Sequence, residues 1–156
     1  MSQESDVDPL WVWGEDTQTP RILHSMFRVR DIDASLRFYC DGLGMQLLDR
    51  YDFEQGRFSI LFLSYAGYRA GPAALELTYN WDQEADYSHG SGYGHIAIGV
   101  PDVPAMWSRL TQFGGRQGSA PKSMLEGAPQ LAFVQDPDGY AIELIQVNRQ
   151  PSATSR

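Results

Sequence analysis

The chain carries a loose copy of itself, and nothing else in it restricts the fold as strongly. Displacing the 156 residues by 71 positions sets His24 on His95, Val29 on Val100, Asp31 on Asp102, Gly44 on Gly115 and Phe62 on Phe133. Past that point the second half is shorter by a loop of four residues. Glu76 then meets Glu143 at a displacement of 67, with Leu75-Glu76-Leu77 against Ile142-Glu143-Leu144. Self-similarity at a fixed spacing means one supersecondary unit used twice.

The local patterns give that unit its elements. Residues 21–29 alternate at period two and predict a strand with Ile22, His24, Met26 and Arg28 on one face. Asp31 to Asp33 offers a helix cap, and the expected apolar stripe is Ile32, Leu36, Tyr39, Cys40 and Leu43, stopped by Gly42 and Gly44. Strands follow at 46–53, 57–65 and 73–80. The second half reads the same way. A strand spans 93–100, with His95, Ala97 and Gly99 on one face. Asp102 caps a helix with Pro104 in its first turn, carrying Val103, Met106, Trp107 and Leu110 inward and ending at Gly114-Gly115. Strands are expected at 115–119, 130–135 and 140–147, with Asp136-Pro137-Asp138-Gly139 as the turn between the last two. Each half is therefore βαβββ. The expected fold is α+β, two such modules per chain with curved mixed sheets.

Length and charge set the surroundings. The expectation is one domain over 21–148, with module one at 21–80 and module two at 93–148. Residues 1–20 read as an acidic extension, with five acids, no Lys or Arg, and Trp11, Val12 and Trp13 as a docking patch. Residues 149–156 read as a flexible tail. A net charge of −8 with one lysine, Lys122, argues against nucleic acid as a partner. No apolar run is long enough to cross a bilayer, and the N-terminus lacks the basic and apolar regions of a secretory signal. The single cysteine, Cys40, excludes a disulfide framework and a thiolate metal cluster, and suits a cytoplasmic location.

The repeat puts chemistry where the strands meet. His24 and His95 lie on opening strands, Glu76 and Glu143 on closing strands. Pairing of first and last strands in each half brings them to one concave face. Two imidazoles and two carboxylates suit a divalent first-row ion with room for water or substrate. The glutamates sit between apolar neighbours and, once buried, need a cation or hydrogen bonds. A lone strand histidine is otherwise structural. His89, in a Ser-Gly loop, reads as solvated.

Several segments together resemble the glyoxalase I (lactoylglutathione lyase) family of the vicinal oxygen chelate superfamily. They are Leu23-His24-Ser25-Met26-Phe27-Arg28-Val29, Phe38-Tyr39, Leu43-Gly44-Met45, Leu75-Glu76-Leu77-Thr78-Tyr79-Asn80-Trp81, Tyr93-Gly94-His95-Ile96-Ala97 and Phe133-Val134-Gln135-Asp136-Pro137-Asp138-Gly139-Tyr140-Ala141-Ile142-Glu143-Leu144. The resemblance spans about Ile22 to Val147. It implies a homodimer whose active sites lie between subunits, with His24 and Glu76 from one chain and His95 and Glu143 from the other as metal ligands. It implies nickel foremost, with cobalt or zinc as alternatives, because His24 and a compact 80–93 loop match the nickel-preferring class. It also implies isomerisation of the hemithioacetal of glutathione and methylglyoxal to S-lactoylglutathione through an ene-diolate. Glu143 is then the main base and Glu76 a second. Arg28 and Asn80 match positions that hold the γ-glutamyl carboxylate, and Lys122 lies near the position for the glycine carboxylate. Ser91 stands where a second family cation would precede His95. Phe58, Phe62, Leu63 and Met124 are candidates for the aldehyde pocket, with ordinary core as the other role for Phe62. Ala97 and Gly99 leave room for ligand or allow close strand packing. The rivals are a methylmalonyl-CoA epimerase, whose ligand wants more basic surface, an iron-dependent extradiol dioxygenase, for which Glu76 is surplus, and a drug-sequestering protein, which needs no metal ligands.

Overall fold

The computed structural model describes residues 14–16, 18–67 and 72–147. Trp11, Trp13 and the 149–156 tail lie outside them. The element order is β1 (His24–Val29), α1 (Ile32–Leu36), β2 (Gln46–Phe53), β3 (Phe58–Ser64), β4 (Ala74–Asn80), β5 (Ile96–Val100), α2 (Val103–Arg109), β6 (Arg116–Gln117), β7 (Lys122–Ser123), β8 (Gln130–Gln135) and β9 (Ala141–Gln146). A π-helical turn, Arg37–Gly42, continues α1, and a 3₁₀ turn, Leu110–Phe113, continues α2. The fold is α+β with two mixed sheets, as expected.

The first sheet has the order β1-β4-β3-β2, with β1 parallel to β4 and the other pairs antiparallel. The second has the order β5-β9-β8-β6, with β5 parallel to β9 and β7 also on β8. In each, the parallel partners are the first and last strands of one repeat. The back of the first sheet buries Phe27, Val29, Leu61, Leu63, Leu75 and Leu77. The back of the second buries Ile98, Val100, Ala132, Val134, Ile142 and Leu144.

The chain divides into two compact units that cut across the repeat. One joins residues 1–32 and 44–85, and the other joins 33–43 and 86–156. The first helical segment therefore belongs with the second sheet. Within that second unit its π turn meets the 3₁₀ turn, and α2 packs on β8 and β9. Arg109 donates to the carbonyls of Asp41 and Gly42, and Arg37 to that of Gln112. Both guanidinium groups lie over the Phe113 ring. Cations on the last carbonyls of a helix satisfy groups the helix cannot.

The helix stripe departs from the expectation. Ser35, Phe38, Tyr39, Gly42 and Leu43 are buried, while Ile32, Leu36 and Cys40 are only partly so. The rotation has a steric cause. A Cβ on Gly42 would stand 2.9 Å from Leu110 Cδ2 and 3.1 Å from Phe113 Cβ, so the bare backbone lets the other helix approach. Gly42 lies inside the helix, and Gly44, at φ 79°, ends it. Burial also pushes the Cys40 thiol up, aided by Asp41.

Strand edges differ where a partner is missing. β1 begins at His24 rather than 21 because β4 begins opposite it at Ala74. The expected 115–119 strand is the short β6, and β7, which was not expected, is a second short piece on β8. Gly118 N–H donates to Phe133 O at 2.8 Å and Ser119 O accepts from Phe133 N–H at 3.0 Å, but Pro121 has no N–H to continue the ladder. The Asp102 cap is present, its Oδ1 accepting from Ala105 N–H at 3.0 Å. The Asp136 turn is present too. Its carboxylate accepts the N–H groups of Asp138 and Tyr140, and Gly139 takes φ 88°.

Candidate metal centre

Register decides which side chains meet. In the first sheet His24 stands opposite Ala74, and Glu76 stands opposite Met26 and Phe62. Alternation turns His24, Glu76 and Phe62 to the same side. His24 Nε2 lies 2.9 Å from Glu76 Oε2, and the imidazole meets the Phe62 ring edge-on at 5.7 Å. The second sheet repeats this. Glu143 stands opposite Ala97 and Phe133, His95 Nε2 lies 2.9 Å from Glu143 Oε2, and the imidazole meets Phe133 edge-on at 5.2 Å. The glutamate side chains are 14% and 15% exposed, the imidazoles 31% and 42%. Phe62 has the core role among those expected for it, being fully buried, and its ring also meets the His24 imidazole.

The donor set suits a divalent ion. Two ligands bonded to one ion at about 2.0–2.1 Å and at right angles stand about 2.9 Å apart, and each pair already has that separation. The same spacing serves a hydrogen bond in the absence of an ion. Imidazole with carboxylate fits a first-row dication, whose charge answers a carboxylate partly withdrawn from water. Each unit brings together one His–Glu pair. Among the described residues no group of three or more His, Cys, Asp or Glu side chains gathers.

The remaining expected residues divide between the units. Arg28 is exposed on β1, opposite Thr78, on the side that carries His24. Asn80 is half-buried at the end of β4, opposite Phe58. Lys122 is exposed on β7 of the second unit. Phe58 stacks on Phe53 at 4.7 Å. Leu63 points to the back of β3, one step of alternation from Phe62, and is no pocket residue. Met124 is exposed. Gly99 is a close-packing position, since a Cβ there would meet Val147 Cγ1 at 2.5 Å.

Other side chains contribute that residue-by-residue reading overlooked. Thr78 Oγ1 donates to Glu76 Oε1 at 3.4 Å, a contact with no signal in the sequence. Tyr93 O–H donates to the Ala141 carbonyl at 2.9 Å, tying the strands two residues ahead of His95 and Glu143. His89 is not merely solvated: it stacks on Tyr140 at 4.1 Å. A buried hydrogen bond of 2.6 Å runs from Tyr39 O–H to Asp136 Oδ2. Desolvation raises the Asp136 carboxyl to about 6 and, together with Asp136, raises the Tyr39 phenol well above its usual value.

A family model described as the glyoxalase/bleomycin resistance protein/dioxygenase superfamily matches residues 21–144. The lactoylglutathione lyase of Neisseria meningitidis is 45% identical over 126 residues, covering 81% of this chain and 90% of the relative. A probable lactoylglutathione lyase of Synechocystis is 46% identical over 127 residues, covering 81% and 95%. The chain belongs to the glyoxalase I family. Solved structures agree. Glyoxalase I from Zea mays superposes with a TM-score of 0.76 at 36% identity, covering 84% of this chain and 46% of the maize chain. The trypanothione-dependent glyoxalase I of Leishmania major superposes with a TM-score of 0.69 at 38% identity, covering 81% and 86%. As a glyoxalase I family member the chain is an enzyme.

Proposed function

We propose that this enzyme converts the hemithioacetal of glutathione and methylglyoxal to S-lactoylglutathione, using a divalent metal held by His24, Glu76, His95 and Glu143. The observation that carries the reading is the repeated His–Glu pair, each at 2.9 Å with a carboxylate withdrawn from water. The ion, nickel foremost and cobalt or zinc otherwise, supplies Lewis-acid stabilisation of the negative charge that develops on the substrate oxygens.

The chain's own groups do the rest. Glu143 takes the proton from C1 and returns it to C2, so no electrons leave the substrate. Glu76 serves the opposite face. Arg28 and Asn80, on one side of the first sheet, hold the γ-glutamyl carboxylate, for which a guanidinium fork is suited. Lys122 holds the glycine carboxylate. Phe58 and Phe62 face the small aldehyde part.

The reading builds each site from two chains of a homodimer: His24 and Glu76 from one, His95 and Glu143 from its partner. It is supported by exposed positions beside the His–Glu pairs: Met26, opposite Glu76, is 38% exposed, and Ala97, opposite Glu143, and Gly99 are exposed. A cytoplasmic location goes with it. Among the described residues no helix is long and apolar enough to cross a membrane.

The test is to strip the protein of metal and follow thioester formation by ultraviolet absorbance with nickel, cobalt and zinc restored singly. Nickel-restored turnover with little from zinc is expected. Turnover with zinc alone overturns the metal preference, and turnover with none of the three overturns the reaction. Substituting trypanothione for glutathione tests the thiol.

A further inference from the structure

The two half-sites match in their His–Glu separation, in the burial of their glutamates and in the phenylalanine against each imidazole. They differ two residues past each glutamate. At the displacement of 67 that superposes Glu76 on Glu143, Thr78 falls on Ile145. Alternation turns Thr78 to the side of Glu76 and Ile145 to the side of Glu143. Thr78 O–H donates to Glu76 Oε1 at 3.4 Å while His24 faces Oε2, so both oxygens of that carboxylate are engaged. Ile145 carries no polar side-chain atom and offers Glu143 nothing comparable.

We infer that Thr78 is a positioning residue that orients Glu76 toward the metal, a support that Ile145, at the matching place in the other half-site, does not give Glu143. This rests on the metal-dependent reading above. A carboxylate with one oxygen toward a metal and the other in a hydrogen bond is confined to one orientation. Partners of this kind typically set metal affinity or activity by about 10–100-fold. The bond is long at 3.4 Å. Such bonds tighten when a site is filled.

The test is calorimetric titration of the metal-free protein with nickel. Thr78→Val keeps the branched shape that suits a strand and removes only the hydroxyl. It is expected to weaken nickel binding about tenfold. Thr78→Ser restores the affinity. Ile145→Val, at the matching place in the other half, leaves it as in the parent. A purely structural role for Thr78 would lower stability without this rescue pattern. Equal affinity in Thr78→Val, or failure of Thr78→Ser to restore it, overturns the inference while the metal-dependent reading stands. A parent protein that takes up no nickel, cobalt or zinc overturns both, and the parent titration alone reveals that.

Discussion

Glu143 sits between Ile142 and Leu144, both fully buried, and its own side chain is 15% exposed. A charged group in that position has a purpose beyond solubility, since alternation alone would have put it at the surface without cost. Glu143→Gln keeps the shape and removes the proposed base. Its kcat is expected to fall by about 10²–10⁴-fold, with the melting midpoint little changed; near-parental turnover would remove Glu143 from the reaction. A second residue-scale prediction concerns Gly42. Alanine ordinarily stabilises a helix interior by about 0.5–1 kcal/mol relative to glycine. Here a Cβ would press on Leu110 and Phe113 at 2.9 and 3.1 Å. Gly42→Ala is therefore expected to destabilise by about 1–3 kcal/mol, read as a lower thermal midpoint. A gain in stability would show that the helices can part without loss. The glutamates were legible in the sequence because a carboxylate between leucines in a strand contradicts the local pattern. Thr78 was not, because a threonine in a strand contradicts nothing until its distance to Glu76 is known.

At the scale of elements, strands and turns were more legible than the helix face. Period two and the Asp136-Pro137-Asp138-Gly139 turn act locally. Which stripe of the first helix is buried depends on Leu110 and Phe113, about seventy residues away. The same helix supplies a pH-sensitive link. Tyr39 donates to Asp136, which also accepts from Asp138 and Tyr140 N–H. Burial outweighs these bonds and raises the Asp136 carboxyl from 3.8 to about 6, with Asp138 adding to the rise. Between those values the folded state holds a proton that the unfolded state has released. Stability from this group is therefore complete below about pH 4 and lost as pH climbs through about 6. Each tenfold gain in proton affinity on folding corresponds to about 1.4 kcal/mol, so the loss is on the order of 2–3 kcal/mol. Asp136→Asn should flatten that segment of the stability–pH curve in denaturant titrations from pH 4 to 7. An unchanged slope would assign it to other groups.

At the scale of the whole molecule the repeat has a consequence that neither half has alone. Each unit gathers one histidine and one glutamate, and the proposed metal needs both pairs. If the pairs combine across a dimer, two dead variants must rescue each other. Take His24→Ala, which spoils the first half-site, and Glu143→Gln, which spoils the second. In a mixed dimer one site collects both lesions, and the other receives an intact first half from the Glu143→Gln chain and an intact second half from the His24→Ala chain. Random exchange makes about half the dimers mixed, each with one good site of two, so roughly a quarter of parental activity should return. The measurement is the activity of each variant alone and of the co-refolded mixture. If each site were built within a single chain, every site in the mixture would carry one lesion and no activity would return. The two architectures thus differ in sign rather than degree, and the result stands whichever divalent ion the protein prefers.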